Sequence, residues 1–233
     1  MDLFIARQPI FTSQQTVHAY ELLFRSGTAN VFPDVDANHA SARVIADSLF
    51  NLGLQALTGG KLAFINMTRD LLVGDYATLL PKDEIVIEIL ENIVPDAKVV
   101  EACRRLKDAG YLLALDDFVE NGSTAPLVAL ADIIKVDVLA TKKEQRRTLV
   151  KRHAPRGVRL LAEKVETQEA FQEAVGLGFS YFQGYFFAKP SVLKAKSAPE
   201  FRLTYLALLQ EVVKREVDLR KVAAVIGRDV TLS

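Results

Sequence analysis

A chain of 233 residues, half of them hydrophobic, is long enough for one α/β barrel or two small domains and can bury a sizeable core. Lys plus Arg and Asp plus Glu number 29 each, which excludes a global field for a nucleic acid polymer or an acidic membrane, so any anionic ligand must be held locally. No apolar stretch approaches the roughly 20 residues that cross a bilayer, and no basic region precedes the first apolar residues, a pattern that predicts a cytoplasmic protein.

In chain order, two strand-like runs come first, "FIARQPIF" and "TVHAYELLFR", joined by the polar "TSQQ". A helical segment follows, "DANHASARVIADSLFNLGLQAL". From there, apolar runs alternate with helical periodicity. The runs are "KLAFIN", "EIVIEIL", "YLLALDD", "ADIIKVD", "GVRLLAE" and "FSYFQGYFF"; the helical segments are "DAKVVEACRRLKDAG", "KEQRRTLVKRHA" and "ETQEAFQEAVGLG". Several helical segments end at or before Gly, a common helix terminator.

Strand followed by helix, repeated about every 20 to 30 residues, predicts parallel strands joined by crossover helices, since a hairpin cannot connect parallel neighbours. The eight strand candidates predict a closed (β/α)8 TIM-like barrel that begins with an antiparallel strand pair. A doubly wound open sheet ranks second, because no Gly-rich phosphate loop follows the first strand.

Barrel texture ends near Pro190, and the residues beyond it have helical periodicity. The expected division is a barrel over 1–195 and a helical tail over 196–233. In the tail, Leu203, Leu206, Leu209 and Val213 form one apolar stripe, with a second apolar set from Leu219 to Ile226. Such a tail wants a partner: the barrel, a further module or another protein. The basic cluster from Lys142 to Arg159 reads as a solvated helix face, and Cys103 as a core thiol beside Val99, Val100 and Leu106. His18, His39 and His153 have no metal-ligand spacing and are assigned no chemistry.

Active sites of parallel barrels lie at the C-terminal ends of the strands. Here those ends carry Glu21 and Arg25, Asn66, Glu88, Asp116 with Asp117, Lys135 with Asp137, Glu163 with Glu166, and Gln183. Counting in twos puts Leu112, Ala114 and Asp116 on one face, likewise Ile133, Lys135 and Asp137, and Leu161 with Glu163. The carboxylates therefore converge on the barrel mouth. Converging carboxylates need a cation, and an oxygen-rich set with one amide suits Mg²⁺, Mn²⁺ or Ca²⁺. Adjacent Asp116 and Asp117 suit two shared ions, the arrangement that serves phosphodiester hydrolysis. The competing reading is an internal salt-bridge ring of Lys135 with the carboxylates.

The ordered motifs "RQPI", "YELLFR", "FINMT", "IEILE", "LDDF", "IKVD", "AEKVET" and "QGYFFAKP" resemble the EAL domains, bacterial cyclic di-GMP phosphodiesterases, over about residues 1 to 190. The tail, with "DLRKVAAVIGRDVTLS", resembles the opening of an HDOD module, cut shortly after it begins. The resemblance implies that Glu21, Asn66, Glu88 and Asp116 hold one Mg²⁺ or Mn²⁺, with Asp116 and Asp117 bridging to a second ion. It further implies Glu163 as general base, Glu166 as support for the metal shell, and Lys135 as the residue that orients the water. Gln8, Arg25 and Gln183 then contact the nucleotide, and Glu91 braces the loop after Asp117.

The implied reaction opens cyclic di-GMP to linear pGpG. A homodimer and a protein partner of the C-terminal helices are compatible with this. Three departures stand out: "ELL" replaces the signature "EAL", Lys164 replaces a usual Gly, and "VENGSTAP" replaces a Gly-Thr-Gly loop tied to metal placement and dimer contact. An inactive cyclic di-GMP sensor and an interaction scaffold are the alternatives to an enzyme.

Overall fold

The computed structural model describes residues 2–25, 45, 53–118, 124–196 and 219–226. Most of the helical segment expected over 36–57, the loop 119–123 and the stripe from Leu203 to Val213 lie outside these residues. The apolar runs form strands β1 (Asp2–Thr12), β2 (Val17–Arg25), β3 (Leu62–Met67), β4 (Ile85–Ile89), β5 (Leu112–Leu115), β6 (Ile133–Asp137), β7 (Arg159–Glu163) and β8 (Tyr181–Phe182). Neighbours from β2 through β8 pair in parallel. Strand β1 runs antiparallel and pairs with both β2 and β8, which closes the eight strands into a barrel. Only the antiparallel β1–β2 link can be short. It turns at Gln15, whose backbone is left-handed, inside a loop closed by Thr12 N–H donating to Thr16 O at 2.9 Å.

The parity of the strands sorts their side chains into two cores. Ile65, Ile87, Leu113, Ile134, Leu160 and Phe182 point outward and pack with buried Leu72, Val99, Cys103, Leu106, Leu127, Leu149 and Phe171. Ile10, Ala19, Phe64, Val86, Ala114, Ile133, Leu161 and Tyr181 point inward and form a separate plug that fills the barrel. Parallel strands covered by helices are apolar on both faces, which is why these runs are continuously apolar rather than alternating.

The covering helices follow the sequence pattern. Helix α3 (Ala97–Asp108) follows two short ones, α1 (Leu54–Thr58) and α2 (Arg69–Val73). Asp96 caps α3 by accepting from Lys98 N–H at 2.9 Å and Val99 N–H at 3.0 Å, which satisfies donors that have no partner within the helix. Its buried face includes Cys103, and burial pushes that thiol up to about 11, as expected of a core cysteine. After α4 (Ala125–Val128), α5 (Lys143–His153) exposes its basic face, with Arg146 paired to Glu173 at 2.9 Å. Helix α6 (Gln168–Leu177) ends at Gly178, whose φ of 98° is the left-handed terminator that the sequence suggested.

The residues after Pro190 differ from the sequence expectation. Ser191–Lys196 form a ninth strand, β9, antiparallel to β1 from Arg7 back to Asp2. β1 is the reason. It is longer than its barrel neighbour β8, which takes only Phe11 and Thr12, so the rest of that edge has free backbone groups for a strand to pair with. In the tail, α7 (Leu219–Ile226) is helical as expected. Among the described residues, no helix is long and apolar enough to cross a membrane.

Candidate active site

One polar layer lies on top of the apolar plug, and the chain builds it by the same step in every strand. Two residues beyond an inward plug residue, Ala19 gives Glu21, Phe64 gives Asn66, Val86 gives Glu88, Ala114 gives Asp116, Ile133 gives Lys135, Leu161 gives Glu163 and Tyr181 gives Gln183. On antiparallel β1 the step runs backward, from Ile10 to Gln8, which lies opposite Glu21 in register. A period of two residues per face fixes this stacking.

At the centre of the layer is Lys135, 1% exposed. Its Nζ donates to Glu88 Oε1 and, at 2.7 Å, to Asp116 Oδ1. Glu163 Oε1 lies 2.9 Å away and Glu21 Oε2 3.7 Å. Burial works against the ammonium, but Glu163, Glu21, Glu88 and Asp116 outweigh it and hold its pKa well above the usual lysine range. Burial raises the Glu88 carboxyl well above its ordinary value; Lys135 opposes this, and Glu21 and Asp116 add to it. For Glu163, burial dominates over the opposing Lys135 and pushes the carboxyl up to about 8. A cation was expected among the carboxylates, and here the central positive charge is the lysine's own. Among the described residues no three His, Cys, Asp or Glu side chains are spaced to hold a metal ion as they stand; Glu88, Asp116 and Glu163 are each paired with Lys135.

The layer nevertheless keeps oxygens with unused lone pairs. Asn66 Oδ1, Glu88 Oε2, Glu163 Oε2, Gln183 Oε1 and Asp117 Oδ1 are buried and accept no hydrogen bond. Such atoms are costly unless something binds them. Carboxylate and amide oxygens with no thiolate or imidazole are the donor set of a hard divalent cation, so the residues present fit one in donor chemistry.

Two cavities open on the carboxylates of the polar layer. One, of about 320 Å³, is lined by Gln8, Glu21, Glu163, Glu166 and Gln183. The other, of about 220 Å³, is lined by Glu91, Asp116, Asp117 and Thr124. Ion pairs from Lys135 to Glu21 and Glu163 on one side and to Asp116 on the other join the two. The structure therefore brings together Glu21, Glu88, Asp116, Lys135, Glu163 and Gln183, sets Gln8 and exposed Glu166 on the first cavity, and sets exposed Glu91 on the second. The Arg25 side chain lies outside the described residues.

Backbone bonds hold the layer in place. Asp116 N–H donates to Ile89 O at 2.9 Å and Phe118 N–H to Lys135 O at 3.0 Å, which locks "DDF" between β4 and β6. Val165 N–H donates to Gln183 O at 3.0 Å, joining the end of β7 to the end of β8. Gly184 is needed at that crossing, because a Cβ there would run into the Val165 carbonyl and amide. Gln183 Nε2 in turn donates to Glu21 Oε2 at 2.7 Å.

The sequence placed Asp137 among the converging carboxylates without a specific partner and marked Lys164 only as a departure. Lys164 has a φ of 55°, in the region where a Cβ costs roughly 1 kcal/mol or more, and its Nζ donates to Asp137 Oδ2 at 2.5 Å. The left-handed backbone is the reason a glycine suits this position, and the replacement of that glycine is the sequence signal that pointed to it.

The model of the EAL domain family matches residues 4–190. CdgJ of Vibrio cholerae serotype O1, named a cyclic di-GMP phosphodiesterase, is 36% identical over 233 residues, covering 99% of this chain and 54% of CdgJ. YuxH of Bacillus subtilis (strain 168), an uncharacterised protein, is 38% identical over 238 residues, covering 100% of this chain and 58% of YuxH. The chain thus spans little more than half the length of these relatives. Klebsiella pneumoniae BlrP1, solved with manganese and cyclic di-GMP, has a TM-score of 0.64 at 25% identity, over 83% of this chain and 57% of that one.

Proposed function

The chain belongs to the EAL domain family, and we propose that it hydrolyses cyclic di-GMP to linear pGpG with the help of divalent cations. The observation that carries this reading is the set of buried oxygens on Asn66, Glu88, Glu163, Gln183 and Asp117, in and beside one polar layer, that accept no hydrogen bond. In this reading Glu21, Asn66, Glu88 and Asp116 hold one Mg²⁺ or Mn²⁺, Asp116 and Asp117 share a second, and Glu166 supports the shell. The bound ions would activate water and neutralise charge on the phosphoryl oxygens.

The chain's own residues do the rest. Glu163 takes the proton of the attacking water once it is ionised: burial holds its carboxyl up at about 8 in the metal-free protein, and a neighbouring cation would favour the carboxylate form that the base role needs. A new P–O bond forms as the ester bond to the leaving ribose oxygen breaks. Lys135, fixed by its carboxylates, orients that water, and Gln8, Arg25 and Gln183 bind the nucleotide. The barrel over 1–195 acts as one module, and 196–233 lead into an HDOD-like one.

A second reading, binding without turnover, is favoured by one observation: Lys135 already neutralises the carboxylates that would hold the ion. One assay separates the two. Incubation with cyclic di-GMP and Mn²⁺, followed by chromatography, is expected to give pGpG that disappears in Glu21→Ala. Intact nucleotide in both proteins, with saturable binding by calorimetry, would establish the sensor instead.

A further inference from the structure

The acidic groups of the mouth divide between two lysines of opposite character. Lys135 is 1% exposed and engages Glu21, Glu88, Asp116 and Glu163. The Lys164 side chain is 50% exposed and engages the outer pair, with its Nζ 2.5 Å from Asp137 Oδ2 and 3.7 Å from Asp117 Oδ1. Asp117 is the second of the adjacent carboxylates, and its Oδ1 accepts no hydrogen bond. Nearby, Glu163 is nine-tenths buried and its Oε2 has no donor.

Asp137 is built to receive the lysine. Its Oδ1 is occupied by Leu139 N–H at 2.7 Å and Ala140 N–H at 3.0 Å, which fixes the carboxylate and turns Oδ2 toward Lys164. At its other end, Lys164 accepts an unfavourable left-handed backbone, between Glu163 and a Val165 anchored to Gln183. Asp117 is left-handed too, with a φ of 39°. Two residues with side chains thus both adopt the glycine-favouring conformation at the point where their charges meet.

We propose that Lys164 is an intramolecular competitor for the outer divalent cation. Its ammonium supplies a positive charge at Asp117, so the outer ion binds there only by displacing it. Half-exposed and on a flexible stem, the lysine can swing into solvent when an ion arrives, which buried Lys135 cannot do. The outer site then fills only at a higher ion concentration than it would without the lysine, which makes turnover steeply dependent on free metal. This inference rests on the metal-dependent reading of the site.

The test is a Mn²⁺ titration of the full chain without nucleotide. Bound and free ion are counted by electron paramagnetic resonance, for wild type, Lys164→Gly, Lys164→Gln and Lys164→Arg. The glycine variant relieves the backbone as well as the charge, the glutamine variant removes only the charge, and the arginine variant keeps it. The expected result is two classes of ion in wild type, with the weaker class tightened about tenfold in the Gly and Gln variants and unchanged in Arg, as removal of one nearby positive charge predicts. Two ions bound equally well by all four proteins would overturn the inference and leave the metal-dependent reading standing. One ion in every variant would do the same, since no outer site would exist. No Mn²⁺ bound by any of them would overturn both.

Discussion

Gln183 Nε2 donates to Glu21 Oε2 at 2.7 Å across 162 residues of chain. The bond spans β1, which lies between the strands that carry the two residues, so it forms only when the barrel has closed. It fixes which oxygen of Glu21 faces Lys135 and couples the first motif of the mouth to the last. Gln183→Ala is therefore expected to free the Glu21 carboxylate to rotate. Weaker Mn²⁺ affinity with an unchanged fold by circular dichroism is the predicted readout, and unchanged affinity would count against it.

Buried Lys135 pairs with four carboxylates. Removing one partner of a buried ion pair typically costs about 3 to 5 kcal/mol, because the remaining charges are left uncompensated. Lys135→Met should lower the metal-free stability to urea by that order. Added Mn²⁺ should recover part of the loss by binding the freed carboxylates. A variant as stable as wild type in chelator would show that the carboxylates tolerate one another without it.

The stability of the metal-free protein should fall as pH rises. Unfolded, Glu163 titrates near 4.5, and in the folded protein it titrates near 8, so between those values only the folded state keeps the proton. The contribution is fully present below about pH 4.5 and is lost as pH rises through about 8, at up to about 1.4 kcal/mol per pH unit. Urea denaturation in chelator at pH 5 and pH 8 should show the drop in wild type and a shallower one in Glu163→Gln. Equal slopes would place the proton elsewhere. Loss of the Glu163 proton adds a negative charge beside the carboxylates that would hold the ion, so Mn²⁺ affinity should rise with pH across this window.

Gly184→Ala places a methyl group against the Val165 backbone. Overpacking against atoms that cannot move aside costs about 1 to 3 kcal/mol, and relief must come from separating the ends of β7 and β8. The melting temperature should drop, and nucleotide affinity should fall with it, since Glu163 and Gln183 lie on those two ends. A normal melting temperature would mean that the crossing relaxes freely.

Cys103 should resist thiol reagents in the native state. It is fully buried on α3 and burial raises its pKa to about 11, so thiolate is scarce and access is closed. Labelling should proceed only as fast as the protein opens and should accelerate in urea. Rapid labelling of native protein would contradict the placement of this helix.

What the sequence determined by itself is whatever depends on short-range periodicity. Alternating apolar runs and helical segments specified the strands and their parallel connection, counting in twos put Asp116, Lys135, Asp137 and Glu163 on inward faces, and Glu21, Asn66, Glu88 and Gln183 were legible as polar groups at strand ends. Local parity is enough for that, because each strand sorts its own side chains between two faces. Three features needed the tertiary structure. The salt-bridge ring around Lys135, one of the two readings the sequence left open, forms because barrel closure brings carboxylates from four other strands to one point, a distance that no single segment encodes. Ser191–Lys196 became a strand because the exposed edge of β1 offered hydrogen-bond partners, which outweighed the local periodicity. Lys164 came to face Asp117 and Asp137 through a left-handed turn held by the end of β8, a backbone state that the identity of a lysine does not announce.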